Sequence, residues 1–302
     1  MASRSTASSL LVSLRPDQWT KNLIVFAALI FARRLLDPAA LALASAAFLI
    51  FCALAGSVYL INDVSDREAD RQHPQKQRRP IASGALSPAT ALVWAGGLSV
   101  AAVASAIALK PIFGLVAVAY LALFVWYTRL SKHIVILDVM SIAVGFVLRA
   151  VAGGVVIGVP VSDWLLVCTM LGALFLGLAK RRHEITLLTD GAKGHRKILE
   201  EYDPYLLDQM IAVVAAATLV TYIIYCASPE THAYFGTDLL VLTTPFPIYG
   251  LFRYLYLVHR KQGGGNPSDM LLQDRSLQGC VALWGLAVVV IIYRPFGVLT
   301  GH

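Results

Sequence analysis

Long apolar windows separated by short polar segments run along nearly the whole 302-residue chain. Nine windows carry little or no charge, and most approach the roughly 20 residues that a helix needs to cross a bilayer. Prolines mark many of the window ends. The windows cover residues 20–36, 40–61, 88–109, 111–129, 134–157, 162–180, 207–227, 238–258 and 277–299. The pattern therefore predicts an all-α polytopic membrane protein with nine transmembrane helices.

Composition supports a membrane protein. Hydrophobic residues make up 58% of the chain and charged residues 14%, whereas soluble domains carry about 25% charged residues. No polar segment is long enough to fold as a separate soluble domain, so we expect one integral-membrane domain over residues 1–302. The four cysteines lie in or beside apolar windows without paired spacing, which predicts packing roles and no disulfides.

Basic residues are divided unevenly between two sets of loops. Most of the 25 lysines and arginines lie at the amino terminus and after windows two, four, six and eight. The positive-inside rule then predicts a multi-pass protein of the inner (cytoplasmic) membrane, with its amino terminus and active-site loops in the cytoplasm. The same bias accounts for the net charge of +7 without any phosphate chemistry.

The segment that ends the second apolar window carries three aspartates, Asp63, Asp66 and Asp70. Their spacing of i, i+3 and i+7 places them within about 60° of one another around a helix. Like charges held together need a neutralising partner, and oxygen ligands favour Mg²⁺, which often completes its shell with phosphate oxygens. We predict that these catalytic aspartates, with Asn62, bind Mg²⁺ and act on a diphosphate. The alternative is a solvated helix end held by salt bridges.

Basic and polar residues elsewhere are candidates for binding phosphate groups, since Arg and Lys suit phosphate oxygens. Arg149 lies inside an apolar window, where a charge is costly unless it faces a cavity or a partner. The alternatives are orientation signals, helix pairs and, for Arg149, a structural pair with the intramembrane Asp138. The candidate substrate-binding residues are Lys21, Asn62, Arg71, Lys76, Arg78, Arg79, Tyr127, Lys132, Arg149, Lys180, Arg181 and Glu184.

The acidic segment resembles a signature of the UbiA-type superfamily of intramembrane prenyltransferases. That signature, NDxxDxxxD, is matched by Asn62, Asp63, Asp66 and Asp70. The nine predicted helices also fit the superfamily. Its usual second signature, an aspartate-rich DxxxD after helix six, is replaced here by residues 180–184, which are basic apart from Glu184.

A narrower branch of that superfamily, whose members transfer 5-phosphoribose to decaprenyl phosphate, fits the chain better and over nearly its whole length. The resembling segments are Arg15-Pro16-x-Gln18-Trp19-x-Lys21-Asn22, Tyr59 to Ala82, Arg149-Ala150-x-Ala152-Gly153-Gly154, Lys180-Arg181 with Glu184, Arg196-Lys197 with Glu200 and Tyr202, and Asp274-Arg275 with Leu277-Gln278. Together these segments are more specific than the aspartate signature alone.

The resemblance implies Mg²⁺ as the cofactor, 5-phosphoribosyl 1-diphosphate (PRPP) as the donor and a polyprenyl phosphate as the acceptor. It also implies a central cavity open to lipid and to the cytoplasm, and a product that supplies cell-wall arabinan. The candidates for the diphosphate are then Lys76, Arg78 and Arg79. The candidates for the ribose 5-phosphate or the lipid phosphate are Lys21, Lys132, Lys180 and Arg181. We expect the lipid bilayer as a partner and no nucleic acid, and we leave open whether the chain forms a homo-oligomer.

Two other classes of function stay open at this point. A conventional member of the superfamily would move a prenyl group from a prenyl diphosphate to an aromatic or other small acceptor. A transporter or lipid-binding protein without any chemistry would also carry intramembrane charges. The basic character of residues 180–184 favours the phosphoribosyl reaction over prenyl transfer.

Overall fold

The computed structural model describes residues 5–73, 76–189, 201–260, 270 and 273–293. Every regular element in these ranges is a helix, which confirms the predicted all-α class. The α-helices are α1 (Thr6–Ser13), α2 (Ala27–Phe31), α3 (Pro38–Ser65), α4 (Arg67–Gln72), α5 (Pro80–Ser83), α6 (Pro88–Leu109), α7 (Pro111–Arg129), α8 (Leu137–Ile157), α9 (Asp163–Thr189), α10 (Pro204–Ala227), α11 (Pro229–Phe235), α12 (Pro245–Arg260) and α13 (Arg275–Tyr293). The 3-10 helices cover Pro16–Phe26, Lys76–Arg78, Ser131–His133 and Leu239–Thr243.

Seven of the described helices are long and apolar enough to cross a membrane, namely α3, α6, α7, α8, α9, α10 and α13. The protein is therefore polytopic, but the predicted count of nine spans is not confirmed in this part of the chain. The window at 20–36 is divided between the 3-10 helix Pro16–Phe26 and the short α2. The window at 238–258 is divided between the 3-10 helix Leu239–Thr243 and the 16-residue α12. A helix of that length extends about 24 Å, less than the ~30 Å hydrocarbon layer.

Acid–proline and serine–proline pairs determine where several membrane helices begin, as the sequence pattern predicts. Pro38 occupies the first position of α3, where its missing N–H is not needed. Asp37 before it accepts hydrogen bonds from two backbone N–H groups of the first turn, and Ser87 and Asp203 cap α6 and α10 in the same manner. A hydrogen bond from Arg34 holds the pKa of the Asp37 carboxyl below its usual value, which keeps this cap ionised.

Helix α8 occupies the middle of the bundle, where it packs against α3, α7, α9 and the 3-10 helix Pro16–Phe26. Helix α8 and the 3-10 helix Pro16–Phe26 lie close together, because a Cβ atom at Gly153 of α8 would overlap the backbone carbonyl of Val25. Helix α3 also packs against α6, and α9 packs against α10. The two largest clusters of buried apolar residues lie around α3, α7 and α8 and around α9, α10 and α12.

The two ends of the bundle differ in chemistry. Ion pairs collect at the end where α3, α7 and α9 finish and α8 begins. At the opposite end, Arg33 donates hydrogen bonds to the backbone carbonyls of Phe235 and Ile292. A cavity of about 360 Å³ also opens there, between α2, the start of α9 and helices α10 and α11. The aspartates singled out in the sequence do not line this cavity.

Replacing Gly153 by Ala tests the close contact between α8 and the preceding 3-10 helix. The new methyl group must push the Val25 backbone away, so we expect unfolding free energy to fall by about 1–3 kcal/mol. The measurement is the Tm of the purified protein in detergent. Gly97→Ala on α6, where nothing lies near the added Cβ, is the matched control and should leave the Tm unchanged or slightly higher. Equal Tm values for the two variants would contradict the contact.

Candidate active site

The three aspartates lie where α3 ends and α4 begins. Helix α3 ends at Ser65, Asp66 is the junction residue, and α4 starts at Arg67. Helical hydrogen bonds still cross the junction, from the Asp66 N–H to the Asn62 carbonyl at 2.9 Å and from the Asp70 N–H to the Asp66 carbonyl at 2.8 Å. The helical spacing that the sequence predicts is therefore kept across the junction between the two helices.

Asp63 and Asp70 converge on a single arginine. Nη1 of Arg79 lies 3.1 Å from Oδ1 of Asp63 and 2.7 Å from Oδ2 of Asp70. Arg15 adds a second guanidinium, whose Nη2 lies 2.5 Å from Oδ1 of Asp63. Only 2% of Asp63 and 4% of Asp70 are exposed, so both carboxylates need the neighbouring guanidinium groups to offset the cost of burying their charges. This arrangement is salt-bridged but buried, unlike the solvated helix end that the sequence left open.

Asp66 has a different partner, which comes from the segment after α7. Nζ of Lys132 lies 2.6 Å from Oδ1 of Asp66 and 3.4 Å from Oγ of Ser65. Lys132 belongs to the short 3-10 helix that follows α7, and a 2.8 Å hydrogen bond between the hydroxyls of Ser131 and Ser141 anchors this helix. The structure thus brings Lys132, one of the predicted substrate-binding residues, directly to the aspartates.

The oxygen atoms at this junction suit Mg²⁺ as a ligand set. The three aspartates offer only carboxylate oxygens, and Oδ1 of Asn62 is buried without a hydrogen-bond partner. The Asn62 amide N–H donates to Oδ2 of Asp66 at 3.1 Å, which fixes the amide beside the carboxylates. A buried amide oxygen without a partner among carboxylates fits a hard cation. Within the described ranges, protein cations hold these carboxylates, and no three acidic, His or Cys side chains are arranged around a common metal position.

Arg181 belongs to a second buried network, which joins α8, α9 and the segment before α10. Its Nε lies 2.6 Å from Oδ2 of Asp138, and its Nη1 lies 2.5 Å from Oε2 of Glu184. The Tyr202 hydroxyl donates to Oδ1 of Asp138 at 2.7 Å and accepts the Ile136 N–H at 2.7 Å. Asp138 is fully buried and Arg181 is 2% exposed. Arg181 is therefore held between two carboxylates, an arrangement that stabilises the helix packing.

Arg149 is buried on α8, and its hydrogen-bond partners are all neutral. Its Nε donates to Oδ1 of Asn22 at 2.7 Å, its Nη2 to the Tyr120 hydroxyl at 2.6 Å and its Nη1 to the Gly145 carbonyl at 2.9 Å. The structural pair with Asp138 that the sequence left open does not form between these two described residues. A different arginine, on α9, pairs with that aspartate.

Several other predicted residues lie on the surface or beside the junction. Arg71 and Arg78 are exposed, and Arg71 pairs with Glu68 at 3.2 Å. Lys76 is half-buried in the 3-10 helix that precedes α5. Tyr127 is buried at the end of α7. The structure therefore places Lys76 and Tyr127 closer to the protein interior than Arg71 and Arg78.

Lys21 and Lys180 are both half-buried and lie close enough to repel each other electrostatically. These two lysines come from the first 3-10 helix and from α9, so only the packing of the bundle brings them together. Other residues from the resembling segments lie outside the described residues, namely Arg196, Lys197 and Glu200.

Some residues at the junction were missed by the sequence reasoning. Arg15 was not counted among the site residues, although it binds Asp63. Its backbone φ of 53° is unusual for a residue other than glycine, and such conformations concentrate at functional sites. The only sequence signal was its position in the Arg15-Pro16 segment before the first window. Asn22 and Tyr120 were also missed. The only signal for Asn22 is its place in the same resembling segment, and Tyr120 is a neutral side chain in an apolar window, which carries no distinctive pattern.

Fold and site together define an all-helical integral membrane protein with a buried cluster of acids and bases at one end of its bundle. The sequence profile of the UbiA prenyltransferase family matches residues 22–272. The chain therefore belongs to the UbiA prenyltransferase family.

Two relatives each bear the name decaprenyl-phosphate phosphoribosyltransferase. The protein from Corynebacterium glutamicum is 34% identical over 96% of this chain and 88% of its own length. The protein from Mycobacterium tuberculosis is 36% identical over 90% of both chains. A solved UbiA homologue from Archaeoglobus fulgidus, bound to DMAPP and Mg²⁺, has a TM-score of 0.72 at 18% identity and covers 95% of this chain and 99% of that one. This last similarity shows the fold.

Removing the Arg181 charge tests whether the second network stabilises the fold. Arg181→Gln leaves the buried Asp138 carboxylate without its charged partner, so we expect a loss of about 3–5 kcal/mol of unfolding free energy. The measurement is again the Tm in detergent. The exposed Arg78→Gln is the control and should change the unfolding free energy by no more than about 0.5 kcal/mol.

Adding Asp138→Asn to the Arg181→Gln variant should restore part of the lost stability, because no buried charge is then left unpaired. A Tm for Arg181→Gln equal to that of Arg78→Gln would show that the network contributes nothing to stability.

Proposed function

We propose that this protein transfers 5-phosphoribose from PRPP to a polyprenyl phosphate such as decaprenyl phosphate, with release of diphosphate. The observation that carries the proposal is the 34–36% identity, over 90% or more of the chain, to relatives named decaprenyl-phosphate phosphoribosyltransferase. The aspartate junction supports it, because a diphosphate donor needs a divalent cation and positive side chains in one place. The protein is then a glycosyltransferase that acts on a lipid phosphate.

The aspartate junction has the composition needed to bind the donor diphosphate. Asp63, Asp66 and Asp70, with the amide oxygen of Asn62, would hold Mg²⁺, and a bound Mg²⁺ supplies charge stabilisation to the departing diphosphate. Arg79 contacts two of these carboxylates, so its guanidinium is positioned where a diphosphate at this junction needs a partner. The other predicted diphosphate ligands, Lys76 and Arg78, lie on the neighbouring 3-10 helix.

The proposed chemistry needs little from the protein beyond positioning. An oxygen of the acceptor phosphate attacks the anomeric carbon of the ribose, and the bond from that carbon to the diphosphate oxygen breaks with its electron pair staying on the diphosphate. The acceptor phosphate is already an anion at neutral pH, so no protein nucleophile or strong base is required. Holding the two substrates in line supplies much of the rate. Direct displacement predicts inversion, from an α donor to a β product.

The membrane arrangement is consistent with this pair of substrates. PRPP is soluble in water and the acceptor is a lipid, so a site at the end of a membrane bundle can receive both. The positive-inside rule favours the cytoplasmic side of the inner membrane for this end, because the basic loops cluster there. We treat residues 1–302 as one domain for this function.

A second candidate function is prenyl transfer to an aromatic or other small acceptor. The fold is shared with the Archaeoglobus fulgidus homologue that was solved with DMAPP and Mg²⁺. Residues 180–184 argue against prenyl transfer, because they stand in the place of the second acidic signature and are basic apart from Glu184. Glu184 itself is already paired with Arg181.

A substrate comparison tests the proposed function directly. Purified protein with Mg²⁺ receives either labelled PRPP and a polyprenyl phosphate, or a prenyl diphosphate and an aromatic acid. We expect turnover of the first pair, a β-configured product and loss of turnover when Mg²⁺ is chelated. Turnover of only the second pair would reject the proposal in favour of prenyl transfer. Absence of Mg²⁺-dependent diphosphate release with either donor would favour a transporter or lipid-binding protein.

Asp66→Asn tests the metal role of the junction. The variant removes one charged ligand but keeps the shape of the side chain, so we expect a loss of at least about 100-fold in turnover from weaker charge stabilisation. The protein should still elute as a folded species. Glu68→Gln is the matched control, because the Glu68 side chain is 74% exposed and should leave turnover near normal. Near-normal turnover by Asp66→Asn would count against a metal at this position.

A further inference from the structure

Positive side chains lie around Tyr59, about one helical turn deeper in the bundle than the aspartates. Tyr59 precedes Asp63 by four residues on α3, and one turn of an α-helix rises about 5.4 Å. The guanidinium of Arg15 lies 4.7 Å from the centre of the Tyr59 ring, and Arg149 also lies within electrostatic reach of this tyrosine. Lys21 lies within electrostatic reach of both Arg149 and Lys180, and we call these three residues the deep cation group.

The charge of Arg149 is not balanced by any carboxylate of the described residues. Its hydrogen bonds go to an amide, a hydroxyl and a backbone carbonyl, and only 4% of the residue is exposed. Its guanidinium also lies over the rings of Tyr120 and Phe146, at 4.8 and 5.1 Å. These contacts orient the side chain but supply no negative charge, and a buried charge without a counterion is costly.

Lys21 increases this imbalance. It precedes Asn22, the residue that accepts the Nε–H of Arg149. Lys180, Arg149 and Arg15 all repel the Lys21 ammonium, and the attraction of Asp17 is the weakest of these influences. Among the described residues the ammonium makes no hydrogen bond or ion pair. A half-buried lysine surrounded by like charges is unfavourable unless an anion joins it.

The neighbouring aspartates do not provide that anion. Asp63 is matched by Arg15 and Arg79, and Asp66 by Lys132. Asp70 shares Arg79. Asp17 is the remaining carboxylate near Lys21, and it has no charged partner among the described residues. Within the described part of the chain, Lys21 and Arg149 together therefore carry more positive charge than Asp17 alone can offset.

We infer that the deep cation group is a binding site for a phosphate monoester. Two or three cations around one position suit a dianion, and the guanidinium fork and the ammonium suit its oxygens. The inference rests on the proposed function, in which the aspartate junction takes the diphosphate. Two phosphate monoesters then remain, the 5-phosphate of the ribose and the phosphate of the lipid acceptor. The same chemistry would bind either of them.

The test variant is Lys21→Gln, because no described residue makes a hydrogen bond or ion pair with Lys21 whose loss would disturb the fold. Its Tm without ligand should be equal to or higher than that of the wild type, since repulsion is relieved. Lys110→Gln is the matched control at the opposite end of the bundle, where Lys110 donates to the Val155 carbonyl. Binding of ribose 5-phosphate and of farnesyl monophosphate to each protein is measured, with ribose and farnesol as uncharged controls.

We expect the wild type and Lys110→Gln to bind at least one of the two monoesters and Lys21→Gln to bind it about tenfold more weakly or worse. Weaker binding of farnesyl monophosphate alone assigns the site to the acceptor, and weaker binding of ribose 5-phosphate alone assigns it to the donor. Wild-type-like binding by Lys21→Gln overturns the inference, and so does a wild type that binds neither monoester. If monoester binding depends on Lys21 but PRPP is not turned over, the site stands and the proposed function fails.

Discussion

A charge buried at the end of a membrane bundle is costly unless a charge of opposite sign lies beside it, and this constraint organises the end of the bundle that carries the aspartates. Arg79 lies between Asp63 and Asp70, and Lys132 lies against Asp66. The pair of Lys132 and Asp66 joins elements that are 66 residues apart in the chain. The ion pairs thereby hold the end of α3, helix α4, the segment before α5 and the segment after α7 in one arrangement.

The same constraint connects the packing to the proposed chemistry. The carboxylates and guanidinium groups that neutralise one another at the junction are the groups that a metal and a diphosphate would need. The amide oxygen of Asn62, beside these groups, is buried without a hydrogen-bond partner in the described structure. A site of this composition can accept a cation and an anion together with little change in its net charge.

Neighbouring residues on α9 show how the bundle gives similar side chains different environments. Arg181 lies between Asp138 and Glu184, where its charge is fully matched. Lys180, the preceding residue, lies within electrostatic reach of Lys21 on the first 3-10 helix. A helix directs adjacent residues to faces about 100° apart, so two basic residues in succession meet different neighbours. The basic segment that stands in place of a second acidic signature therefore contains both a structural and a candidate binding residue.

The sequence by itself determined the features that depend on local pattern. Apolar windows predicted the all-α class and seven of the membrane helices, and acid–proline pairs such as Asp37 and Pro38 predicted where helices begin. The sequence also showed the spacing of the aspartates, which carries the family resemblance. The windows at 20–36 and 238–258 are each divided between a 3-10 helix and a short α-helix, because hydropathy does not distinguish one long helix from a 3-10 helix followed by a short one.

Only the tertiary structure decided which charges meet. Arg149 reaches Asn22 across 127 residues of sequence, and Lys132 reaches Asp66 across 66. Such pairs depend on how whole helices pack, and packing brings together residues whose local patterns are independent of one another. In the sequence, a basic residue that binds a carboxylate cannot be distinguished from one that faces water or binds a phosphate. These roles differ only in which groups surround the side chain in the folded protein.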